Sequence, residues 1–322
     1  MSKLIIQIPC FDEAATLPST LRDLPREVEG FDAVEVLVVD DGSEDDTCAA
    51  ALAHGADHVL RLPYHQGLAL TFMAGLHEAL RLGADVIVNT DADNQYRGAD
   101  VPKLTRPILV GQAMIVVGAR PIAKSAHFKA SNKLLQRLGS WVVRIASKTT
   151  VADASSGFRA IHREAALRLF MHTSYTYTLE MIIQAGKKGI PVVSVPVEIN
   201  PPTRPSRLVR STSQYVLRSI VAILRLLILY RPLRFFMALA AVSGSAALMI
   251  GLRYLYFFLL GNGAGHLQSL LVSVVLSTAA VLFAVVGVLA DLIAANRVML
   301  EEIRYHQLRQ TLRLGSEATT KG

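Results

Sequence analysis

Cysteine and charged residues are scarce in this sequence. Cys10 and Cys48 are the only cysteines among 322 residues, and their spacing matches no metal-ligand pattern. Two reduced thiols are typical of a cytosolic domain and exclude a fold held together by several disulfides. Charged residues make up only 18% of the chain. The mean hydropathy of +0.37 is too high for an ordinary soluble protein.

Charge is absent altogether from two long segments near the carboxyl end, residues 235–252 and 267–290. At a rise of about 1.5 Å per residue, a helix over either segment can cross a hydrocarbon core of roughly 30 Å. A pair of buried core helices is the alternative, but the flanking sequence offers no amphipathic partners for it. The linker, residues 261–266, contains no lysine or arginine, whereas both outer flanks contain several arginines. The positive-inside rule therefore predicts a transmembrane hairpin with both ends in the cytoplasm.

The segments that precede this hairpin carry two further signals. The apolar run after Lys3 is too short for a signal peptide and stops at Pro9, so we expect the first 200 residues to be cytoplasmic. Arginines recur between Arg204 and Arg234 without any acidic residue. Nucleic acid could explain that charge, but the adjacent apolar segment favours anionic lipid headgroups and a helix in the membrane interface over residues 206–230.

Short apolar runs alternate with helical periodicity before the hairpin. The runs that predict strands cover residues 3–8, 34–39, 59–62, 86–88, 113–117 and 192–197. The segments that predict helices cover residues 14–26, 43–54, 69–82, 129–147, 164–170 and 178–188. Strands that alternate with helices indicate an α/β fold with a doubly wound, mostly parallel sheet.

Clusters of acidic and basic residues fall at the predicted strand ends, at residues 9–13, 40–43, 91–95 and 153–159. The carboxyl ends of parallel strands share one edge of a sheet, so we expect these clusters to converge on one crevice. Asp91 and Asp93 are spaced so that they can share a hard divalent cation, which can neutralise a diphosphate. A solvated loop tip is the alternative interpretation of this turn.

Taken in order, these motifs resemble those of family 2 glycosyltransferases with the GT-A fold, specifically the polyprenyl-phosphate and dolichyl-phosphate sugar synthases. The resemblance covers about residues 4–200, and the two apolar segments match the membrane-anchored bacterial members. It implies a GT-A catalytic domain, an interfacial amphipathic helix and a two-helix transmembrane hairpin. The expected boundaries are 1–203 for the catalytic domain, 204–232 for the acceptor loop and amphipathic helix, 233–296 for the hairpin, and 297–322 for a cytoplasmic carboxyl-terminal helix and tail.

The resemblance also implies a donor site. Residues 9–13 correspond to a P-x-Y-N-E segment, from which Phe11 and Asp12 depart. Residues 40–43 match a DDGS turn, whose aspartate is expected to contact the base or ribose, with a helix N-cap as the alternative. The match of residues 91–95 to D-A-D-x-Q implies that Mg²⁺ or Mn²⁺ is held by Asp93, Gln95 and Asp91. The resemblance implies nucleotide contacts from Pro9, Phe11, Glu13, Asp40, Asp41, Asp91 and Arg120.

The remaining motifs concern the reacting centre and the acceptor. Residues 153–159 match D-x-[TS]-S-G-F-R, which implies catalytic roles for Asp153 and Arg159 beside Asp93; a surface arginine is the alternative for Arg159. Asp153 is either a base or an orienting group, because a phosphate monoester, with a second pKa of about 6, is already largely an anion at neutral pH. A partial match implies that the acceptor phosphate is bound by Arg204, Ser206 and Arg207, with contact to lipid headgroups alone as the alternative.

Two further residues are open at this point. His65 begins a turn that resembles N-x-G-x-G but departs from it, and a loop histidine is the alternative to a donor contact. Glu180 fits a family glutamate or a solvated helix residue.

The sequence as a whole predicts a metal-dependent, inverting hexosyltransferase. It would move a sugar from a nucleotide diphosphate to polyprenyl phosphate, undecaprenyl phosphate in bacteria, for the modification of a cell-envelope glycan or lipid. A UDP-sugar is the favoured donor, and a GDP-mannose-using synthase is the alternative. We expect a multi-pass inner-membrane protein with both termini cytoplasmic and no nucleic-acid partner. By resemblance, it would be a homo-tetramer.

Two other functions are weighed against this prediction. A processive polysaccharide synthase would need more spans and a Q-x-x-R-W motif, but the only tryptophan, Trp141, follows Gly139 and Ser140. A non-catalytic membrane adaptor with a degenerate transferase fold would account for the departures at Phe11, Asp12 and Ala69. Such an adaptor would show no metal-dependent nucleotide release.

Overall fold

The structure is a computed structural model that describes residues 2–121, 151–171, 177–201 and 228–320, with side chains up to residue 312. The chain divides into two compact units. The sheet unit consists of Met1–Ser219 with Ile303–Gly322, and the hairpin unit consists of Ile220–Glu302. The helix predicted over residues 129–147 and most of the interfacial helix predicted over residues 206–230 lie outside the described residues.

A seven-stranded mixed sheet forms the centre of the sheet unit. Its strands are β1 Lys3–Cys10, β2 Ala33–Asp40, β3 His58–Arg61, β4 Val86–Asn89, β5 Ile115–Ala119, β6 Arg159–His162 and β7 Val192–Pro196. Their order is β3-β2-β1-β4-β6-β5-β7. Of the seven strands that the structure describes, only β6 runs antiparallel to its neighbours, β4 and β5, which confirms the predicted α/β class with a mostly parallel sheet.

Helices cover both faces of this sheet, and two longer helices follow them along the chain. The helices are α1 Leu17–Asp23, α2 Thr47–Ala53, α3 Leu68–Arg81, α4 Val101–Leu109, α5 Arg163–Arg168, α6 Thr178–Lys187, α7 Pro232–Leu259 and α8 Leu267–Thr320. Every residue of β1 from Leu4 to Cys10 is buried, as expected for a parallel strand covered on both faces. Leu4, Ile6 and Ile8 share one core cluster with Leu17 of α1 and Leu104 of α4. Burial of each such side chain contributes about 1.5–3 kcal/mol to stability.

Two elements of the sheet unit are absent from the prediction. β6 has only four residues and has Arg159 and His162 at its ends, so its strand conformation depends on pairing with β4 and β5 on both sides. α4 contains Pro102 in its first turn, where proline is tolerated, and Pro107 further along. Those prolines lower the local helix propensity, whereas burial of Leu104 and Ile108 against the sheet favours the helix.

The hairpin unit contains two helices long and apolar enough to cross a membrane. Small residues let them approach closely, since a Cβ added at Gly287 would lie 3.0 Å from Phe236 Cβ. The Ser273 hydroxyl donates to the carbonyl of Ala247 at 2.8 Å. These contacts define an antiparallel pair, as predicted. α8 continues without interruption from its apolar part to Thr320.

The carboxyl-terminal part of α8 packs within the sheet unit. This docked segment, residues 303–312, lies against α3 and the end of α5. The Arg304 guanidinium donates to the carbonyl of Leu169 at 3.2 Å and lies 2.6 Å from His77 Nε2. The Tyr305 hydroxyl donates to Glu164 at 3.1 Å. Burial, together with the charge of Arg304, lowers the pKa of His77 to about 4, so this imidazole is neutral and accepts the arginine's hydrogen bond.

Candidate active site

The carboxyl ends of β1, β2 and β4 lie side by side at one edge of the sheet. The chain winds from β1 outwards to β2 and β3, then crosses to β4 on the other side of β1. The point between β1 and β4 is therefore the topological switch point, where open α/β sheets bind ligands. Three of the four predicted polar clusters, residues 9–13, 40–43 and 91–95, lie at these ends. The fourth, residues 153–159, leads into β6, which begins at the same edge because it runs antiparallel to β4.

The turn after β1 is tied to the turn after β2. The backbone N–H of Asp12 donates to the Ser43 hydroxyl at 2.9 Å, and the Asp12 carboxylate accepts the N–H of Glu44 at 3.0 Å. Asp12 has a φ of +52°, a left-handed conformation that aspartate and asparagine tolerate best among residues with a side chain. The departure from the family's asparagine at this position therefore preserves the turn.

Of the residues predicted to bind the donor at the end of β1, Phe11 has the most favourable position. Pro9 is buried within the strand. Glu13 is largely buried, its side chain accepts the hydroxyl of Thr16, and its N–H donates to Thr47 at 2.9 Å. Phe11 is only partly buried, and its ring lies 4.0 Å from that of His65 between centroids.

Both aspartates of the DDGS turn are buried and hold protein groups. Asp40 accepts the N–H of Ser43 at 3.1 Å and the thiol of Cys48 at 3.0 Å. Asp41 accepts the N–H groups of Gln66 and Gly67 at 2.8 and 2.9 Å, and it also contacts His65. Their exposed fractions are 0% and 2%, and the contact to base or ribose implied for this turn stays a prediction.

The turn after β4 carries the predicted metal ligands Asp91, Asp93 and Gln95. The N–H of Gln95 donates to Asp93 at 3.1 Å, and Asn94 between them has a φ of +54°. Burial raises the pKa of Asp91 to about 7, and the nearby charge of Asp93 acts in the same direction. The two carboxylates are therefore close enough to repel each other, and a bound cation would relieve that repulsion.

The donor set of this turn fits a magnesium or manganese ion. Among the described residues, no group of three or more His, Cys, Asp or Glu side chains could hold a metal alone. Mg²⁺ is commonly bound by one or two carboxylates together with substrate phosphates and water, all of them hard oxygen ligands. Asp91 and Asp93 supply such a pair, and the remaining ligands would come from a diphosphate and solvent.

A buried polar network lies next to Asp91. Asn89 donates to the carbonyl of Gly157 and to the Tyr177 hydroxyl, both at 2.9 Å, and accepts from Gln7 at 2.9 Å. A Cβ added at Gly157 would lie 2.8 Å from an Asp91 carboxylate oxygen and 3.2 Å from the Tyr177 hydroxyl. Gln7, Asn89 and Tyr177 are absent from the predicted site, whereas Gly157 belongs to the predicted motif at residues 153–159. Polar side chains inside otherwise apolar strands, Gln7 and Asn89, are the signal that could have identified them.

Asp153 forms an ion pair with Arg120. The guanidinium donates from Nε and Nη2 to the two carboxylate oxygens at 2.7 and 3.2 Å, and Nη2 also donates to the Ser155 hydroxyl at 2.8 Å. Asp153 is 3% exposed. Of the two roles left open for Asp153, the orienting one matches this geometry, because the carboxylate is occupied by a fork-shaped cation.

Arg159 lies in the interior, on β6. Its exposed fraction is 0%, and its guanidinium donates to the carbonyls of Ala154, Ser156 and Thr178 at 2.7–2.8 Å. Burial lowers its pKa to about 10, so it stays charged at neutral pH. A surface arginine is therefore the wrong interpretation, whereas the catalytic role of Arg159 stays a prediction. Its bonds to Ala154 and Ser156 hold the loop that carries Asp153.

Two further predictions have different outcomes. Glu180 of α6 is fully buried, so a solvated helix residue is the wrong interpretation. The acceptor residues Arg204, Ser206 and Arg207 lie outside the described residues, and their role stays a prediction.

Known proteins resemble this chain in sequence and in fold. The model of the family described as Glycosyl transferase family 2 matches residues 5–170. The undecaprenyl-phosphate mannosyltransferase of Micrococcus luteus is 30% identical over 205 residues, which cover 61% of this chain and 82% of that protein. The UDP-N-acetylglucosamine–dolichyl-phosphate N-acetylglucosaminyltransferase of Methanococcus voltae is 27% identical over 213 residues, or 59% of this chain and 83% of that protein.

Among solved structures, the glucosyl-3-phosphoglycerate synthase of Mycobacterium tuberculosis in complex with Mn²⁺, UDP and phosphoglyceric acid has a TM-score of 0.53. It is 21% identical, and the match covers 69% of this chain and 78% of that one. At this identity the likeness concerns the fold alone.

Proposed function

This chain belongs to glycosyl transferase family 2 and is a glycosyltransferase, and we propose that it transfers a sugar from a nucleotide diphosphate to a polyprenyl phosphate. The observation that carries the proposal is the pair of carboxylates, Asp91 and Asp93, at the switch point between β1 and β4. Beside them lies the arginine–aspartate pair of Arg120 and Asp153. Relatives that are named for transfer to undecaprenyl and dolichyl phosphate support the class of acceptor.

The metal would be Mg²⁺ or Mn²⁺ held by Asp91, Asp93 and Gln95. When bound, it supplies positive charge that stabilises the leaving diphosphate. The Arg120 charge lies near enough to lower the pKa of Asp91, against the effect of burial. Because Asp153 holds this guanidinium through two hydrogen bonds, its charge is oriented before the donor arrives.

The reaction needs no protein base to activate the acceptor. A polyprenyl phosphate is already largely an anion at neutral pH. Its oxygen attacks the anomeric carbon, the bond from that carbon to the diphosphate oxygen breaks, and the nucleotide leaves with the electron pair. Attack opposite the leaving group inverts the anomeric centre. Asp153 and Arg120 then act by orientation and charge, and Arg159 by bracing their loop.

A UDP-sugar is the donor that we favour. The relative from Methanococcus voltae, whose name gives UDP-N-acetylglucosamine as the donor, supports this choice. GDP-mannose is the alternative, because the names of two relatives refer to mannose. They are the undecaprenyl-phosphate mannosyltransferase of Micrococcus luteus and the polyprenol monophosphomannose synthase of Mycolicibacterium smegmatis.

We further propose that α7 and α8 anchor the enzyme in the inner membrane with the active site on the cytoplasmic side. Both helices are long and apolar enough to cross a membrane. A lipid acceptor then reaches the site by diffusion along the membrane surface. The tetramer predicted by resemblance stays a prediction.

A donor panel tests the proposal. Membranes that contain the full chain are incubated with undecaprenyl phosphate, Mn²⁺ and a set of UDP- and GDP-sugars, and glycolipid formation is measured. We expect glycolipid from one donor, at least a hundredfold less from Asp93→Ala, and no change in Glu29→Ala, which removes an exposed carboxylate. If folded wild-type protein forms no glycolipid from any donor, the proposed function is wrong.

A further inference from the structure

The turn that carries the predicted metal ligands, residues 91–95, is tied to the chain that follows β7. We call residues 197–200 the β7 tail. An antiparallel bridge pairs Tyr96, directly after the turn, with Ile199 of the tail. The N–H of the last tail residue donates to the carbonyl of Gln95 at 2.8 Å. The turn therefore lies against a segment that is far away in the sequence.

One side chain of the β7 tail bonds to the turn itself. The Asn200 side-chain amide donates to the backbone carbonyl of Asn94 at 3.0 Å and lies 3.4 Å from Asn94 Oδ1. A backbone carbonyl only accepts hydrogen bonds, so the NH₂ group of Asn200 is the one that faces it. Because this bond fixes the carbonyl of Asn94, it also fixes the peptide group that leads to the next residue.

The conformation of Asn94 needs such support. Its φ is +54°, in the left-handed region, which is unfavourable for residues with a side chain even though asparagine tolerates it best among them. The bond from Asn200 is made in this conformation and therefore stabilises it. Asn200 is only half-buried, and it makes this contact from outside the turn.

The backbone at Asn94 determines how its two neighbours are presented. Asp93 and Gln95 flank it, and both are predicted ligands of the metal. The N–H of Gln95 donates to the Asp93 carboxylate at 3.1 Å, across residue 94. A change of φ at Asn94 would break this bond and turn the side chains of Asp93 and Gln95 away from each other. Loss of a hydrogen bond that orients metal ligands typically weakens metal binding 10- to 100-fold.

We propose that Asn200 is a positioning residue for the metal. Its side chain holds Asn94 in the conformation that presents Asp93 and Gln95 to one cation, and it acts through Asn94 without being a ligand itself. This inference rests on the proposed function, because it takes the turn to bind Mg²⁺ or Mn²⁺ together with a nucleotide diphosphate.

The affinity for Mn²⁺ tests this role. Mn²⁺ is titrated into the full chain in detergent, with saturating UDP in one series and saturating GDP in another, and binding is measured by calorimetry. We expect Asn200→Ala to bind Mn²⁺ about tenfold more weakly than the wild type. Glu198→Gln is the matched control. It weakens the exposed ion pair with Arg97 in the same tail but leaves the bond to the turn, so it should keep the wild-type affinity.

A second substitution tests how Asn200 acts. Glycine adopts a positive φ without the steric cost of a side chain. In an Asn94→Gly background the turn therefore depends less on the bond from Asn200. Addition of Asn200→Ala to Asn94→Gly should weaken Mn²⁺ binding much less than Asn200→Ala weakens it in the wild type, a non-additivity that a double-mutant cycle measures.

The outcomes separate this inference from the proposed function. If the wild type binds no Mn²⁺ with either nucleotide, or if Asp93→Ala leaves Mn²⁺ binding unchanged, the proposed function fails and this inference fails with it. If Mn²⁺ binds through Asp93 but Asn200→Ala keeps the wild-type affinity, only the role of Asn200 is wrong. The same holds if Asn200→Ala weakens binding equally in both backgrounds, because Asn200 would then act without Asn94.

The metal-free melting temperature of each variant distinguishes positioning from general stability. We expect Asn200→Ala to melt close to the temperature of Glu198→Gln and to lose Mn²⁺ affinity in its folded state. If Asn200→Ala instead lowers the melting temperature while the folded protein keeps the wild-type affinity for Mn²⁺, Asn200 has a structural role alone and the inference is overturned.

Discussion

Replacement of Arg159 by methionine provides the sharpest test of how the active-site loop is supported. The substitution keeps an unbranched side chain but removes the donors to three buried carbonyls, those of Ala154, Ser156 and Thr178. Each buried acceptor left without a partner costs about 1–3 kcal/mol. Local relaxation and the removal of a buried charge offset part of this cost. We therefore expect the free energy of unfolding to fall by about 3–5 kcal/mol, with a smaller loss for Arg159→Lys.

The measurement is urea denaturation of the full chain in detergent, followed by circular dichroism, with activity assayed on the folded fraction. Arg22→Met is the matched control, because Arg22 is exposed and its guanidinium donates a hydrogen bond to the nearby carbonyl of Pro18 on the same helix. It should change stability by no more than about 0.5 kcal/mol. If Arg159→Met keeps wild-type stability but loses activity, Arg159 acts on the reacting groups and the structural reasoning is refuted.

Two further predictions concern other parts of the sheet unit. Gly157→Ala should lower kcat by about 10- to 100-fold, because the new methyl displaces the Asp91 carboxylate; Gly265→Ala, where nothing lies within 4 Å, is the control. Below pH 6.5 the unfolded chain binds a proton at His77 that the folded chain, with a pKa of about 4, does not. Stability should therefore fall as pH drops from 6.5 towards 4, by at most about 3 kcal/mol, and His77→Asn should flatten this slope in denaturation curves.

The sequence was sufficient for the features that depend on local pattern. Apolar runs located β1, β2, β4 and β5, and the strand ends located the polar turns of the site. β6 was missed because four residues carry too little periodicity, and its conformation comes from pairing on both sides. Pairing of that kind depends on tertiary structure.

The role of each side chain within the site was harder to predict, because it depends on whether that side chain is buried. Sequence motifs predict that Asp40, Asp41 and Arg159 lie at the site. They do not show whether each side chain faces the crevice or the protein interior. In the structure all three are buried and hold backbone or side-chain groups. His65, in contrast, is exposed. Its ring is held by contacts with Asp41 and Phe11, which lie in other loops, and no local sequence pattern encodes such contacts.

The docked segment of α8 has a consequence for the order in which the chain can fold during synthesis. The sheet unit is discontinuous, because the hairpin unit is inserted between its first 219 residues and residues from Ile303 onwards. Arg304 and Tyr305 supply the hydrogen bonds to the Leu169 carbonyl and to the Glu164 side chain. A ribosome must therefore translate both apolar helices before the sheet unit can complete its own contacts, and the last step of its folding follows the synthesis of the hairpin.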